Sequence, residues 1–516
     1  MPTLYITFAL LTAMAAVHHV FAVQYFAHMF QLNGYKPGAQ LRWMKNNRRW
    51  LSRRWIAFFG IYLIKPKKAA IKKPLVWTAR MKRLYAVALL LDAGPLAASY
   101  LLWALGPAWA EWISVYALWI FFLFQLPLTP YLLLLANALN APAEKAIRNH
   151  YTKEAVAKLR AHTGLRIVGI TGSYGKTSMK YCLNALLRAK FNVFMTPEGT
   201  NTPMGIVRCV REKLSAAHEI FLCEMGAKNV GDIKELCDIA RPQCGVLTSI
   251  GPQHLESFKC LENVVKTKFE LADALPFDGP ESILFANGED ENIRARLPAY
   301  PRAVTYAAGP EFDADYHAED VACGESGVSF TAVAPGGERE RFTTRLLGRH
   351  NVLNLMGAIA VAHTFGIPLA GLKGPARKLQ PVPHRLELLD KGGGTLIIDD
   401  AYNSNPSGAK AALDTLNLFD GCMKILVTPG MIELGAKQLE LNKAFGAQAA
   451  AVCDAIALVG EAQTRPIREG ILEAGFDPQS LRVAATLQEA LAWVYALPGM
   501  EKKKVILLEN DLPDNF

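Results

Sequence analysis

The run Thr171-Gly172-Ser173-Tyr174-Gly175-Lys176-Thr177 follows the apolar residues Ile167 to Ile170 and precedes a helix-like stretch from Ser178 to Ala189. A strand, a glycine-rich turn and a helix in that order make a phosphate cradle. Gly172 and Gly175 let backbone N–H groups turn inward around phosphate oxygens, and the positive end of the following helix faces the same point. Lys176 is the residue type that reaches outer phosphates, and Thr177 the type whose hydroxyl holds a magnesium ion. The upstream glycine of the general GxxxxGK[ST] pattern is replaced by Ile170, so only the TGxxGKT core is present. A motif this short also occurs in ordinary loops and needs company.

Other residues could supply it. Glu224 ends the apolar run Ile220 to Cys223, where open α/β sheets place ligand contacts, although a solvated strand-end carboxylate would look the same. His254 is a lone histidine, compatible with a metal site or with a core role. Lys266 and Lys268 lie two residues apart. Asn351 and Asn354 could contact a base or cap the helix that runs through Ala362, Arg385 could bind phosphate or pair on the surface, and His350 reads as structural.

These residues need elements to hold them. The chain has 516 residues, enough for three or more domains, and scattered cysteines with no CxxC or zinc-like spacing, which points to a reduced, intracellular protein. Three apolar stretches, about Thr3 to Phe30, Leu84 to Leu105 and Trp112 to Ala136, are long enough to cross a bilayer. The ten apolar residues Trp55 to Ile64 are too short to span and suit an interfacial position. Residues 31–83 hold fifteen Lys and Arg, Arg48, Arg49, Arg53 and Arg54 among them, and no Asp or Glu. The positive-inside rule makes this segment cytoplasmic. With no acidic residue before Arg83, residues 1–83 carry +15 of the net +10, leaving −5 for the rest. That distribution suits anionic lipid head groups or a topology signal, and excludes a nucleic-acid reading. The expectation is a multi-pass inner-membrane protein with everything after about Leu139 in the cytoplasm.

After a polar helical connector at 143–162, strand-like runs alternate with helical ones, which argues an α/β fold with a parallel sheet covered on both faces. Shorter alternating runs within 302–346, such as Gly327 to Val333, suggest a small antiparallel insertion. A second alternating set, through Thr395-Leu396-Ile397-Ile398, Lys424 to Val427, Ala455 to Val459 and Lys504 to Leu508, predicts a Rossmann-like domain without GxGxxG. The expected boundaries are 1–143 for the transmembrane and interfacial region, 144–380 for an ATP-binding domain and 381–516 for the last domain.

Taken in order, the motifs resemble the Mur ligase family, in particular its dipeptide-adding (MurF-type) branch, over about residues 160–500. The phosphate loop is similar to the family's TGTxGKT. Glu224-Met225-Gly226-Ala227, His254-Leu255-Glu256, Lys266 to Glu270, Gly348-Arg349-His350-Asn351-Val352-Leu353-Asn354, His384-Arg385-Leu386-Glu387 and Asp399-Asp400-Ala401-Tyr402-Asn403-Ser404-Asn405-Pro406 follow in the family's order. The last resembles the DDSYNANP segment of the branch that adds D-alanyl-D-alanine to a UDP-N-acetylmuramoyl tripeptide.

The resemblance implies an ATP-dependent ligase of peptidoglycan precursor synthesis that activates a carboxylate as an acyl phosphate and transfers it to an amine. It implies that Gly172, Ser173, Gly175, Lys176, Thr177 and Asn201 bind ATP phosphates, that Asn351 and Asn354 hold adenine, and that Asp400 accepts from the ribose. Thr177, Glu224, His254 and a carbamylated Lys268 would serve one or two Mg2+ ions, while Lys176 and Arg385 neutralise the transferred phosphoryl group. The implied partners are a UDP-MurNAc-peptide, or its lipid-linked form, and D-Ala-D-Ala or another amine.

The chain also departs from the family. No uridine-binding domain is recognisable before residue 160. Gly430 stands where an Asp is usual, and Glu509-Asn510-Asp511 where a basic KGS-like loop is usual. A Mur-like ligase acting on another acceptor and a non-catalytic scaffold for wall synthesis are the competing readings.

Overall fold

The computed structural model describes residues 2–47, 74–107, 109–277, 279, 282–402, 404–497 and 503–511. The basic residues from Arg48 to Lys73, the Trp55 to Ile64 stretch and Asn403 lie outside the described residues. The chain forms two compact units that divide between His150 and Tyr151.

The first unit is helical, with α1 (Pro2–Leu32), α2 (Pro37–Asn46), α3 (Ala79–Leu105) and most of α4 (Ala110–Ala161). Its core joins Ala22, Phe26 and Phe30 of α1 to Met81, Leu84 and Ala88 of α3 and to Leu133 and Ala136 of α4. The expectation of three spans and a multi-pass inner-membrane placement is corrected. Among the described residues, α3 alone is long and apolar enough to cross a bilayer, and a packed core helix passes the same test. The apolar runs read as spans are instead partly consumed by helix-to-helix packing, and the third continues without a break into the polar connector as one helix of 52 residues.

The second unit holds two sheets. In the first the order is β2-β3-β1-β4-β5-β6-β7-β8-β9, from β1 (Arg166–Thr171), β2 (Val193–Met195), β3 (Ile220–Glu224), β4 (Cys244–Leu247), β5 (Ile283–Asn287), β6 (Ala303–Ala307), β7 (Tyr316–Gly324), β8 (Gly327–Val333) and β9 (Arg339–Thr344). Pairing is parallel from β2 to β7 and antiparallel across β7, β8 and β9, so the insertion expected from the alternating pattern is present. The central strands are buried along nearly their whole length because apolar layers cover both faces, one built on Met179, Leu183 and Leu186, the other on Phe221, Ile233 and Phe269.

Within this unit α5 (Lys176–Leu187) leaves the phosphate loop, α6 (Leu261–Asp273) carries the paired lysines, and α7 (Arg349–Thr364) follows the insertion. The second sheet has the order β10-β11-β15-β12-β13-β14, built from β10 (Glu387–Asp390), β11 (Thr395–Asp400), β12 (Met423–Thr428), β13 (Ala455–Val459), β14 (Leu481–Ala484) and β15 (Lys504–Glu509), with α8 (Pro406–Asn417) after β11. Only β10 with β11 is antiparallel.

Candidate active site

The phosphate loop is shaped by two contacts that only glycine permits. Gly172 has φ +155°, and a Cβ there would lie 2.0 Å from Thr248 Oγ1; Gly175 has φ +78° and abuts Asn354 Oδ1 at 2.8 Å by the same construction. The loop is laced to the segment after β4: Ser173 N–H donates to Ser249 O at 2.6 Å, and Ser173 Oγ donates to Gly251 O at 3.1 Å. Ser173 is therefore engaged in holding the loop. Lys176 folds back, its ammonium donating to Gly172 O at 2.7 Å and Ser173 O at 3.0 Å. These carbonyls cap the cation in place of a phosphate. Burial pulls Lys176 down to about 8, against the pull of Glu224 upward and with the push of Arg385 downward.

Thr177 Oγ1 donates to Glu224, at 3.2 Å from Oε1 and 3.3 Å from Oε2, and Asn201 Nδ2 donates to Oε1 at 3.4 Å. Parallel pairing of Ile170 with Glu224 brings the ends of β1 and β3 side by side. The pattern of the chain had not marked Lys180, whose Nζ lies 2.9 Å from Glu224 Oε2 in full burial. Burial by itself would raise the Glu224 carboxyl; Lys180, then Lys176 and Asn201, bring it below its ordinary value.

His254 adopts a left-handed backbone, φ +52°, and its Nδ1 bonds to Glu433 Oε2, while Lys228 Nζ sits 3.2 Å from Glu433 Oε1. Burial lowers the His254 pKa and outweighs the carboxylate, whereas the hydrogen bond from His254 draws Glu433 down to about 2. The two directions agree if a neutral imidazole donates from Nδ1, which leaves Nε2 as an acceptor.

Of the two lysines on α6, Lys266 is exposed and Lys268 is 2% exposed. Burial, then the charge of Lys176, holds the Lys268 amine well below the ordinary lysine range. Arg385 lies over the Tyr402 ring at 4.2 Å.

A cleft of ≈ 320 Å³ opens between α7 and α8, lined by Glu289, Gly348, Arg349, His350, Asp414 and Thr415 among others, but not by Asn351 or Asn354. Asn351 Nδ2 instead donates to Leu347 O at 2.8 Å, one turn back, and Asn354 is packed against the phosphate loop. His350, read as structural, lines the cleft, and burial lowers it to about 4, so it is neutral. Asp400 Oδ1 accepts the Leu386 N–H at 3.2 Å, and the parallel register sets Asp400 beside Glu509.

Among the described residues no group of three or more His, Cys, Asp and Glu could by itself hold a metal ion. Magnesium does not require one, since it is commonly bound through one or two carboxylates together with substrate phosphates and water. The Thr177 hydroxyl beside the buried Glu224 carboxylate fits that donor set.

The Mur ligase middle domain matches residues 170–362, and the Mur ligase glutamate ligase domain matches residues 384–509. The UDP-N-acetylmuramoyl-tripeptide–D-alanyl-D-alanine ligase of Bacillus subtilis (strain 168) is 34% identical over 286 residues, covering 55% of this chain and 60% of the relative. Its counterpart from Escherichia coli (strain K12) is 29% identical, covering 60% and 67%. The chain thus spans about 60% of the length of the first of these relatives. The structure of MurF ligase from Thermotoga maritima in complex with ADP superposes with a TM-score of 0.63 at 27% identity, over 70% of this chain and 80% of that one. MurF from Acinetobacter baumannii, at 23% identity and a TM-score of 0.63, shares the fold. With both domain matches lying over the two sheets and together covering more than half of the sequence, the chain belongs to the Mur ligase family.

Proposed function

We propose that this protein is an ATP-dependent C–N ligase of peptidoglycan precursor synthesis that joins D-Ala-D-Ala to a UDP-N-acetylmuramoyl tripeptide. The observation that carries the reading is the gathering of Lys176, Thr177, Glu224 and Asn201 at the ends of β1 and β3, with Arg385 near enough to depress Lys176 by its charge. The named activity of the relatives from B. subtilis and E. coli supports the same substrates.

A carboxylate resists attack by an amine until one oxygen becomes a leaving group, and phosphorylation by ATP provides this. Lys176 exchanges its loop carbonyls for phosphate oxygens, and Arg385 neutralises charge on the transferred group from the opposite domain. Thr177 and Glu224 would hold Mg2+, which supplies further charge neutralisation when bound. His254, fixed by Glu433, offers Nε2 to the same region. Lys268, buried and with its amine held well below the ordinary lysine range, is the amine suited to take up CO2 as a carbamate and so present an anion there. The acyl phosphate is then attacked by the amine, the C–N bond forms, and phosphate leaves. The cleft beside His350 and Arg349 accommodates the nucleoside. We place the ATP-binding domain at 144–380 and the second domain at 381–516.

Phosphate release from ATP and Mg2+ is to be followed with UDP-N-acetylmuramoyl tripeptide, with and without D-Ala-D-Ala. Release that needs both and disappears in Lys176→Ala is expected; release without either acceptor, or none with both, overturns the reading.

A further inference from the structure

The residues on both sides of Arg385 have left-handed backbone: His384 at φ +58° and Leu386 at φ +47°. Such geometry is unfavourable for side chains with a Cβ, and bulky residues keep it only where their surroundings hold them. Here two consecutive aspartates do the holding. Asp399 Oδ2 lies 2.8 Å from His384 Nδ1, and Asp400 Oδ1 accepts the Leu386 N–H at 3.2 Å. Successive residues of a strand point to opposite faces, so the last two residues of β11 grip the linker at two points. The guanidinium between them rests on the Tyr402 ring, which comes from the same segment.

Asp400 has its own support. Parallel pairing sets it directly beside Glu509, the last residue of β15, so the two side chains leave the sheet on the same face. Glu509 is 1% exposed. Its Oε1 accepts from Ser404 Oγ at 2.6 Å. Its Oε2 has no N–H or O–H donor among the described residues, and the parallel register puts the Asp400 carboxyl beside it. Two carboxyl groups bond only if they share a proton. Burial, then the charge of Asp400, raises Glu509 well above the carboxylate range, the direction expected where two buried carboxyl groups stand side by side.

We propose that Glu509 is a positioning residue for Arg385: its carboxylic acid donates a hydrogen bond to Asp400, Asp400 fixes the Leu386 N–H, and Asp399 and Tyr402 fix the other side of the linker arginine. The place where a basic loop is usual in the family thus holds a brace. Arginine has a long side chain with several free rotors, and aiming it beforehand removes an ordering cost from the step that needs its charge. The proposal rests on the ligase reading only for what Arg385 does.

The test uses the full chain labelled with 15N-arginine. The Nε–H resonance of Arg385, identified by its loss in Arg385→Ala, is displaced in the wild type by the Tyr402 ring. Glu509→Leu, of similar volume but without a donor, is expected to move it to the position of a free arginine, and Glu509→Gln, which keeps a donor, to restore it. In phosphate release, Glu509→Leu is expected to lower kcat by about 10- to 100-fold with little change in KM for ATP. The same substitution in an Arg385→Ala background is expected to cost nothing more, whereas a general structural defect would cost the same in both. An unmoved resonance in Glu509→Leu, or an equal loss in both backgrounds, overturns the proposal. Should Glu509→Leu fail to fold, Asp400→Leu, which removes the acceptor of the Leu386 N–H and leaves the Tyr402 ring in place, gives the same readings, with Asp400→Asn as the rescue. If the wild type turns over none of the named substrates the ligase reading falls, and the resonance still decides for or against the brace.

Discussion

Lys180 Nζ lies 2.9 Å from Glu224 Oε2, and neither side chain is open to solvent. A buried pair of this kind is costly to break from one side because the remaining charge has no water to turn to. Lys180→Met is expected to destabilise the protein by about 3–5 kcal/mol and to weaken Mg2+ binding, as Glu224 takes up a proton. Thermal unfolding and a Mg2+ titration monitored by calorimetry check both. Unchanged values in both measurements would show that the pair does not hold Glu224 ionised.

Lys176 must be charged to meet phosphate, and burial has lowered it to about 8. The cation is present below that value and lost above it. The kcat/KM for ATP is therefore expected to fall as pH rises through about 8, and Lys176→Arg, whose charge does not titrate there, is expected to lose that limb whatever its absolute rate. A pH profile of both proteins decides it.

Lys268 is expected to carry CO2. Exhaustive removal of bicarbonate should lower turnover, and its return should restore it; Lys268→Ala should be inactive and partly rescued by acetate or formate, while Lys266→Ala should behave as wild type. Burying an amine that would rather be charged in water opposes folding, so Lys268→Met is expected to raise the melting temperature while abolishing turnover. Mass spectrometry under CO2 trapping identifies the modified lysine.

The Glu433 carboxyl is held at about 2, first by the hydrogen bond from His254 and further by Lys228. Because its folded value is depressed, its contribution to stability is complete above the ordinary value of 4.5 and is lost as pH falls toward 2. Denaturant melts of wild type and Glu433→Gln are expected to differ by a constant amount near neutral pH and to converge below pH 4.5.

Gly430 sits at φ +83°, and a Cβ there would lie 2.7 Å from Ile467 Cδ1 and 2.9 Å from Asn442 Oδ1. Restoring the family's Asp brings a left-handed non-glycine backbone and a carboxylate beside an amide oxygen. Gly430→Asp is expected to cost about 2 kcal/mol or more, read as a lower melting temperature. An Asp accepted without loss would mean that the loop refits.

Residues with a local reason to be where they are could be read from the chain. Gly172 and Gly175 bracket a turn that only glycines close, and Glu224 ends an apolar strand where the sheet opens. Lys180 could not be read, because a lysine one turn after Lys176 on an amphipathic helix looks solvated until the neighbouring strand delivers a carboxylate to it. Glu433 and Glu509 were hidden for the same reason: each meets its partner across 105 residues or more. The contacts of Asn351 and Asn354 could not be read either, because the direction of each side chain depends on the turn before it and on Gly175 opposite. The apolar N-terminal runs misled because length and hydropathy do not say whether a helix meets lipid or another helix.

By itself the sequence determined the alternation of strands and helices, the antiparallel insertion and the phosphate loop, since periodicity and glycine spacing are local properties of the backbone. Only the tertiary structure decided which charges meet: Lys180 on Glu224, Glu433 on His254, and Glu509 behind Asp400 and Arg385. Those meetings are set by strand register and by the packing of elements far apart in the chain, and burial then sets the protonation state of each group.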